Sequence, residues 1–168
     1  ALKKKKKSFT GFLYVGLMIK NNEPYLIEYN VRMGDPECQV IIPRLNIDIL
    51  KLFNNALLNK LNKTKIIWKK DKCMTIVLCS KGYPKNYKKN KIIKNIQNII
   101  INKNSFIFHA GTRLVNNKVI SNGGRVLSIS SMGKSFKNIR TNILNVIKKI
   151  NWKHGFFRKD IGWRVIKK

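Results

Sequence analysis

Acidic residues are scarce in this chain of 168 residues: Asp and Glu total 7 against 36 Lys and Arg, a net charge of +29. Long apolar runs are also missing. No stretch approaches the roughly 20 apolar residues that span a bilayer, which predicts a protein without a membrane segment. The apolar run after the N-terminal lysines is short, is broken by Gly16 and lacks a small-x-small cleavage site, so it does not indicate a signal peptide.

Cysteine is rare as well. The three cysteines (Cys38, Cys73 and Cys79) are an odd number and show no CxxC or Cys/His spacing typical of metal sites. Cys73 and Cys79 lie in an apolar, strand-like run, where Cys usually serves as a small buried hydrophobe. This usage argues against a disulfide framework and favours a reducing, cytoplasmic setting.

Arginine is the third scarcity, and it affects how the positive charge is interpreted. The chain has 7 Arg against 29 Lys, 24 Ile and 21 Asn, all three of the latter encoded by A- and T-rich codons. Selection for phosphate or guanine binding favours the planar fork of Arg on particular faces, whereas these lysines are scattered. We interpret the charge chiefly as a mark of AT-rich coding, and we expect no specific nucleic-acid partner.

A basic nucleic-acid-binding module remains the alternative from another functional class. A strongly basic domain gains affinity for phosphates through counterion release. Aromatic residues also alternate with lysines, as they do on surfaces that stack bases. They are Phe12, Tyr14, Tyr83, Tyr87, Phe106 and Phe108.

The apolar content, 43% of the residues, is sufficient for a real core, and the length suits one domain or slightly more. Because the chain begins with Ala1, we expect a processed chain or a piece of a longer one. Hydrophobic periodicity predicts an α+β fold with a boundary in the lysine-rich stretch near residue 62, dividing the chain into 1–62 and 63–168. Strands are predicted at 11–19, 25–31, 73–79, 105–109, 112–115, 118–120 and 125–130, and helices at 46–61 and 134–150.

The few acids that are present concentrate in one segment: four of the seven lie between residues 23 and 37. Side chains alternate along a strand, so Glu28, Asn30 and Arg32 are expected on one polar face. A carboxylate and an amide oxygen two residues apart suit Mg²⁺, which takes few protein ligands, and the Arg fork suits a phosphate or carboxylate. An exposed strand face with a weak Glu–Arg pair is the alternative interpretation.

The opposite face of the same strand is apolar. Ile27, Tyr29 and Val31 are expected to point towards a core. After the strand, Asp35 before Pro36 has the pattern of a helix N-cap followed by proline at the first helical position. The sequence therefore predicts a helix that starts immediately after Asp35.

Five motifs occur in order along the chain. They are GFLYVGLMIKNNEPYLIEYNVRMGDPECQVIIPRL at 11–45, KGYP at 81–84, FHAGT at 108–112, NGGRVL at 122–127 and FRKDIG at 157–162. Together they resemble the phosphoribosylamine–glycine ligase family over essentially the whole chain. The first run resembles the end of that family's ATP-grasp module, and the later four resemble its C-terminal domain in the same order.

The resemblance implies an ATP-dependent ligase that joins glycine to 5-phosphoribosylamine through a glycyl phosphate, with Mg²⁺ or Mn²⁺ as cofactor. Glu28 and Asn30 match the family's metal-binding positions. Arg32 matches a basic position facing the acceptor substrate, where it would orient the glycine carboxylate or stabilise the acyl phosphate. The family's N-terminal part, with most of its nucleotide site, is missing, so we expect the 168 residues alone to be inactive.

Other matched residues have less specific interpretations. His109 is expected to be a hydrogen-bonded core residue, and Asp160 to form a structural pair with Arg158. Glu37 and Arg125 match family motifs without an assigned role. A fragment of another ATP-grasp ligase is also considered, since such an enzyme would share the Glu-x-Asn pair but need not contain the later motifs.

Overall fold

A computed structural model of the protein describes residues 3–7 and 9–166. Both helices and strands are well represented, and the predicted α+β class is confirmed. The strands are β1 (Tyr14–Lys20), β2 (Glu23–Asn30), β3 (Lys72–Ser80), β4 (Ser105–His109), β5 (Thr112–Val115), β6 (Lys118–Ser121), β7 (Arg125–Gly133) and β8 (Gly155–Phe156). The helices are α1 (Cys38–Arg44), α2 (Ile49–Leu57), α3 (Phe136–Lys149) and α4 (Trp163–Ile166). No described helix has the length and hydropathy needed to cross a bilayer.

The chain divides into two compact units. Unit 1 comprises Ala1–Cys38 and Leu45–Lys69, and unit 2 comprises Gln39–Arg44 and Lys70–Lys168. The boundary between residues 62 and 63, drawn from composition, remains a prediction about the family's domains.

Unit 1 is built around the β1–β2 hairpin. The two strands pair antiparallel, as predicted, from Tyr14 opposite Asn30 to Lys20 opposite Glu23. Asn21 and Asn22 form the turn with φ of 52° and 63°, a left-handed conformation that asparagine tolerates well. Strand β2 thus begins at Glu23, two residues before the predicted start at Tyr25.

The apolar face of this hairpin is open to solvent. Ile27, Tyr29 and Val31 are 62%, 62% and 72% exposed. The prediction that they face a core is therefore wrong for this chain. A two-stranded hairpin provides only one layer, and burying its face requires a second layer packed against it.

Two helix starts in this region differ from expectation. Helix α1 begins at Cys38, whose N–H donates to the carbonyl of Gly34 at 2.9 Å, so the prediction that Asp35 caps this helix is wrong. Helix α2 starts three residues later than predicted because Asp48 is its N-cap: its carboxylate accepts from the Leu50 N–H at 2.8 Å.

Unit 2 has a two-layer core. Its antiparallel sheet has the order β4-β7-β3-β8, and α3 packs against one face. Ile76 and Ile129 from the sheet and Ile139 and Ile143 from α3 are 0–2% exposed. The helix predicted at 134–150 is confirmed as α3, and a second hairpin pairs β5 with β6.

Candidate functional site

The polar face of the first hairpin is defined by strand register. Tyr14 lies opposite Asn30, and Gly16 lies opposite Glu28. Residues directly opposite in an antiparallel pair project to the same side of the sheet. One face of the hairpin therefore presents Tyr14, Glu28 and Asn30, with Gly16 leaving a gap between them.

That gap accommodates the Glu28 side chain. A Cβ at Gly16 would lie 3.1 Å from Glu28 Cγ, so glycine allows the glutamate to cross over β1. The carboxylate is exposed and forms no hydrogen bond or ion pair within the described part of the chain. Its oxygens remain available to a cation.

The amide of Asn30 is the unsatisfied group on this face. Its Nδ2 is buried and has no hydrogen-bond partner among the described residues. A buried polar atom without a partner is unfavourable by about 1–3 kcal/mol, and most such atoms in native proteins are satisfied. The Asn30 amide is thus placed to interact with a group from outside these residues.

Arg32 lies just beyond the end of β2. Its side is therefore not set by strand alternation, as the sequence analysis assumed, but by the following bend, where Nη1 donates to the Met33 carbonyl at 3.0 Å. The rest of the exposed guanidinium fork forms no hydrogen bond or ion pair with any described residue. Arg32 is available to an anion such as a carboxylate or phosphate.

Tyr14 and Glu37 add a contact that the sequence analysis missed. The Tyr14 hydroxyl donates to Glu37 Oε1 at 3.3 Å. The Glu37 carboxylate raises the pKa of Tyr14 above its usual value, as do partial desolvation and the Glu28 charge, while Arg32 opposes the shift. The alternation of β1, combined with its register against β2, was the signal that could have placed Tyr14 on this face.

The donor chemistry of this face fits a magnesium-type ion. Among residues 3–7 and 9–166, no group of three or more His, Cys, Asp and Glu could hold a metal ion by itself. Glu28 and Asn30 offer hard oxygen ligands, and Mg²⁺ usually takes only one or two carboxylates together with phosphates and water. These two residues fit an ion that a nucleotide also ligates.

The later motifs converge at one end of the unit 2 sheet. A Cβ on Gly111 would lie 2.8 Å from Gly123 Cα, and a Cβ on Gly124 would overlap the Tyr83 ring at 2.1 Å. These glycines allow KGYP, FHAGT and NGGRVL to pack directly on one another. Their role is close packing.

Two other predicted residues have different outcomes. His109 forms a hydrogen bond, with Nδ1 3.0 Å from Thr112 Oγ1, but its side chain is exposed. The prediction that it lies in the core is wrong, because His109 is the last residue of an edge strand. The pairing of Asp160 with Arg158 is confirmed by hydrogen bonds of 3.1 and 2.6 Å. The bonded guanidinium lowers the pKa of Asp160. Arg125 begins β7 on an exposed position.

Comparison with known proteins agrees with the motif resemblance. The family model described as "Phosphoribosylglycinamide synthetase, C domain" matches residues 73–164, and the "Phosphoribosylglycinamide synthetase, ATP-grasp (A) domain" matches residues 1–38. The phosphoribosylamine–glycine ligase of Brucella melitensis is 40% identical over 160 residues, which are 95% of this chain and 38% of the relative. The chloroplastic ligase of Arabidopsis thaliana is 43% identical over 163 residues, 95% of this chain and 31% of the relative.

A solved structure gives the same result. The crystal structure of phosphoribosylamine–glycine ligase from Thermotoga maritima superposes with a TM-score of 0.73 at 32% identity, covering 95% of this chain and 39% of that one. The chain thus spans between three and four tenths of the length of the relatives described here.

Proposed function

Because the chain belongs to the phosphoribosylglycinamide synthetase family, we propose that it contributes to an ATP-dependent ligase joining glycine to 5-phosphoribosylamine. The products are glycinamide ribonucleotide, ADP and phosphate. The observation behind this proposal is the hairpin face where Glu28 and Asn30 offer two metal-ligating oxygens, followed at the next bend by the anion-binding fork of Arg32. We further propose a cytoplasmic enzyme.

The proposed reaction has two steps. A carboxylate oxygen of glycine attacks the γ-phosphorus of ATP, and ADP leaves. The amine of 5-phosphoribosylamine then attacks the acyl carbon of glycyl phosphate, phosphate leaves, and the nitrogen loses a proton. Positioning and charge neutralisation are sufficient for such chemistry, so no protein nucleophile is required.

Each residue on the face has a proposed task. Glu28 and Asn30 would hold Mg²⁺ or Mn²⁺, which when bound neutralises phosphate charge. Arg32 orients the glycine carboxylate and stabilises the negative charge of the acyl phosphate. The exposed Glu28 carboxylate supports the metal assignment. The unpartnered Asn30 Nδ2 is a donor, and it supports an acceptor such as a phosphate oxygen close to the same face.

The rest of the ligase is proposed to lie outside these 168 residues. Residues 1–62 would form the end of the ATP-grasp module with its connecting helix, and residues 63–168 the C-terminal domain. Most of the nucleotide site would come from an N-terminal part, either in the same polypeptide or in a separate subunit. The relatives' greater length and the uncovered apolar face of the hairpin support this arrangement.

A chimera tests the function. This chain would replace the matched segment of the Brucella melitensis ligase, and ADP formation would be measured with glycine and 5-phosphoribosylamine. We expect Glu28→Gln to lower turnover at least about a hundredfold, because metal-assisted charge stabilisation contributes several kcal/mol. Glu23→Gln, an equal change of charge at the hairpin turn, is the matched control. Equal activity of the two variants would refute the assignment of Glu28.

The same assay separates the alternatives. The unmodified 168-residue chain should form no ADP, and clear turnover by it would contradict the proposed division of the active site. ADP formation that required another acid in place of glycine would indicate a different ATP-grasp ligase. Three aromatic pairs contact one another, Phe12 with Phe53, Tyr83 with Tyr87 and Phe106 with Phe108, which supports packing over base stacking. Nucleic-acid binding that persists at physiological salt would favour the binding-module alternative.

A further inference from the structure

The segment between β2 and α1 folds back on the hairpin. Tyr14 is the register partner of Asn30, the last residue of β2. Further along the chain, Glu37, the residue before α1, accepts a hydrogen bond from the Tyr14 hydroxyl. Residues 31–37, defined here as the return loop, are therefore tied to β1 at one end by strand pairing and at the other by a side-chain contact.

Gly34 makes this closure possible. A Cβ at Gly34 would lie 2.4 Å from Glu37 Oε2 and 2.9 Å from Tyr14 Cε2, so any larger residue would displace the contact. The Gly34 carbonyl also accepts from the Cys38 N–H at 2.9 Å, which turns the chain so that Glu37 reaches Tyr14. The loop is thus constrained by its backbone as well as by the Tyr14–Glu37 bond.

Arg32 lies within the return loop, and it has no side-chain partner of its own among the described residues. Its one described hydrogen bond goes to the neighbouring Met33 carbonyl. The loop that carries Arg32 is anchored two residues before it, where Asn30 pairs with Tyr14, and five residues after it, where Glu37 bonds the Tyr14 hydroxyl. The position of the guanidinium therefore depends on how the loop is held.

Building on the proposed function, we infer that Tyr14 and Glu37 are positioning residues: their hydrogen bond pins the return loop to β1 and thereby holds Arg32 beside the face that carries Glu28 and Asn30. Neither residue needs to contact a substrate for this role. An arginine held in place loses less conformational freedom when a carboxylate binds, so the effect should appear mainly in the KM for glycine.

The chimeric ligase described above provides the test. Tyr14→Phe should raise the KM for glycine about fivefold, the typical contribution of one hydrogen bond, with a smaller effect on the KM for ATP. Tyr29→Phe is the matched control, because Tyr29 lies opposite Val15 on the other face of the same hairpin and is 62% exposed. An equal KM for glycine in the two variants would overturn the inference.

Variants at position 37 distinguish positioning from a general structural role. Glu37→Ala should raise the KM for glycine as much as Tyr14→Phe does. Glu37→Gln should raise this KM less, because its amide oxygen still accepts the hydrogen bond. The double variant Tyr14→Phe/Glu37→Ala should have a KM for glycine no higher than either single variant. Additive losses, or a lower thermal midpoint with unchanged KM for glycine, would overturn the inference.

A second measurement uses the full 168-residue chain and requires no turnover. Exchange of the Cys38 amide, which donates to the Gly34 carbonyl at 2.9 Å, should accelerate in Tyr14→Phe and not in Tyr29→Phe. Equal exchange in the two variants would also overturn the inference. If Glu28→Gln leaves turnover intact, the proposed function fails; if Glu28→Gln abolishes turnover while Tyr14→Phe equals Tyr29→Phe, only the positioning role fails.

Discussion

The two units of the chain make different use of similar apolar residues. In unit 2, Ile139 and Ile143 are fully buried between α3 and the sheet. In unit 1, Ile27 is 62% exposed, and the buried hydrophobic residues of the described chain all lie in unit 2. An apolar pattern predicts a buried face only when the layer that covers it is part of the same molecule.

This difference determines where stability and chemistry reside. Unit 2 has both layers of a core, whereas the candidate site lies on a hairpin of the kind that is marginally stable by itself. Local contacts such as Tyr14–Glu37 then contribute a larger share of the site's order.

Hydrogen exchange should show the largest difference between the two units. Amides of β7 and β3 should exchange at least about a thousandfold more slowly than those of β1 and β2, because core strands open only with global unfolding. Exchange measured by NMR or mass spectrometry on the whole chain checks this. Similar protection in both sets of strands would mean that the hairpin is stabilised by more than the contacts described here.

Truncation of one buried and one exposed isoleucine compares what each unit contributes to the free energy of unfolding. Ile143→Ala removes a fully buried side chain from α3 and should lower the free energy of unfolding by about 2–5 kcal/mol. Ile27→Ala removes an exposed one and should change it by less than about 0.5 kcal/mol. Urea midpoints of the two variants are the measurement, and equal shifts would contradict the assignment of the core.

The same difference explains which elements could be predicted. Strands 73–79 and 105–109 and the helix at 134–150 agree with β3, β4 and α3 to within about two residues, because both partners of each contact are present in the sequence. The direction of Ile27 could not be predicted correctly, since alternation predicts a buried face and no described residue covers this one. The exposure of His109 depends on β4 being an edge strand, which is a property of sheet order.

The predicted starts of α1 and α2 were wrong for a local reason. Asp35 and Asp48 are both residues that commonly cap helices, but the helix after Asp35 begins only at Cys38, whereas Asp48 caps α2 by accepting from the Leu50 N–H. The Gly34 carbonyl accepts from the Cys38 N–H, and α1 begins at Cys38, two residues later than predicted. For the candidate site, alternation placed Glu28 and Asn30 on one face, whereas the Tyr14–Glu37 contact depends on register and loop path, which a single sequence does not reveal.

Cysteine reactivity gives a smaller contrast between the units. Burial raises the pKa of Cys73, in unit 2, to about 11, whereas the pKa of Cys38, in unit 1, is raised less. At pH 8 about one Cys73 thiol in a thousand is then ionised, and its labelling should accelerate about tenfold per pH unit up to pH 11. Iodoacetamide labelling followed by mass spectrometry should show Cys38 reacting faster, and equal rates at pH 8 would contradict the burial difference.

An exposed ion pair in unit 2 tests whether the buried layer or the surface contacts make this unit stable. Asp160 and Arg158 form a bidentate ion pair, yet their side chains are 51% and 71% exposed, where solvent screens the attraction. Because the folded-state pKa of Asp160 is lowered, any contribution is present above its ordinary value and disappears as the pH falls through the folded-state value. Asp160→Asn should therefore leave the urea midpoint at pH 7 almost unchanged, and far closer to the parent than Ile143→Ala does. A shift as large as that of Ile143→Ala would show that surface contacts, and not the buried layer between α3 and the sheet, distinguish unit 2 from unit 1.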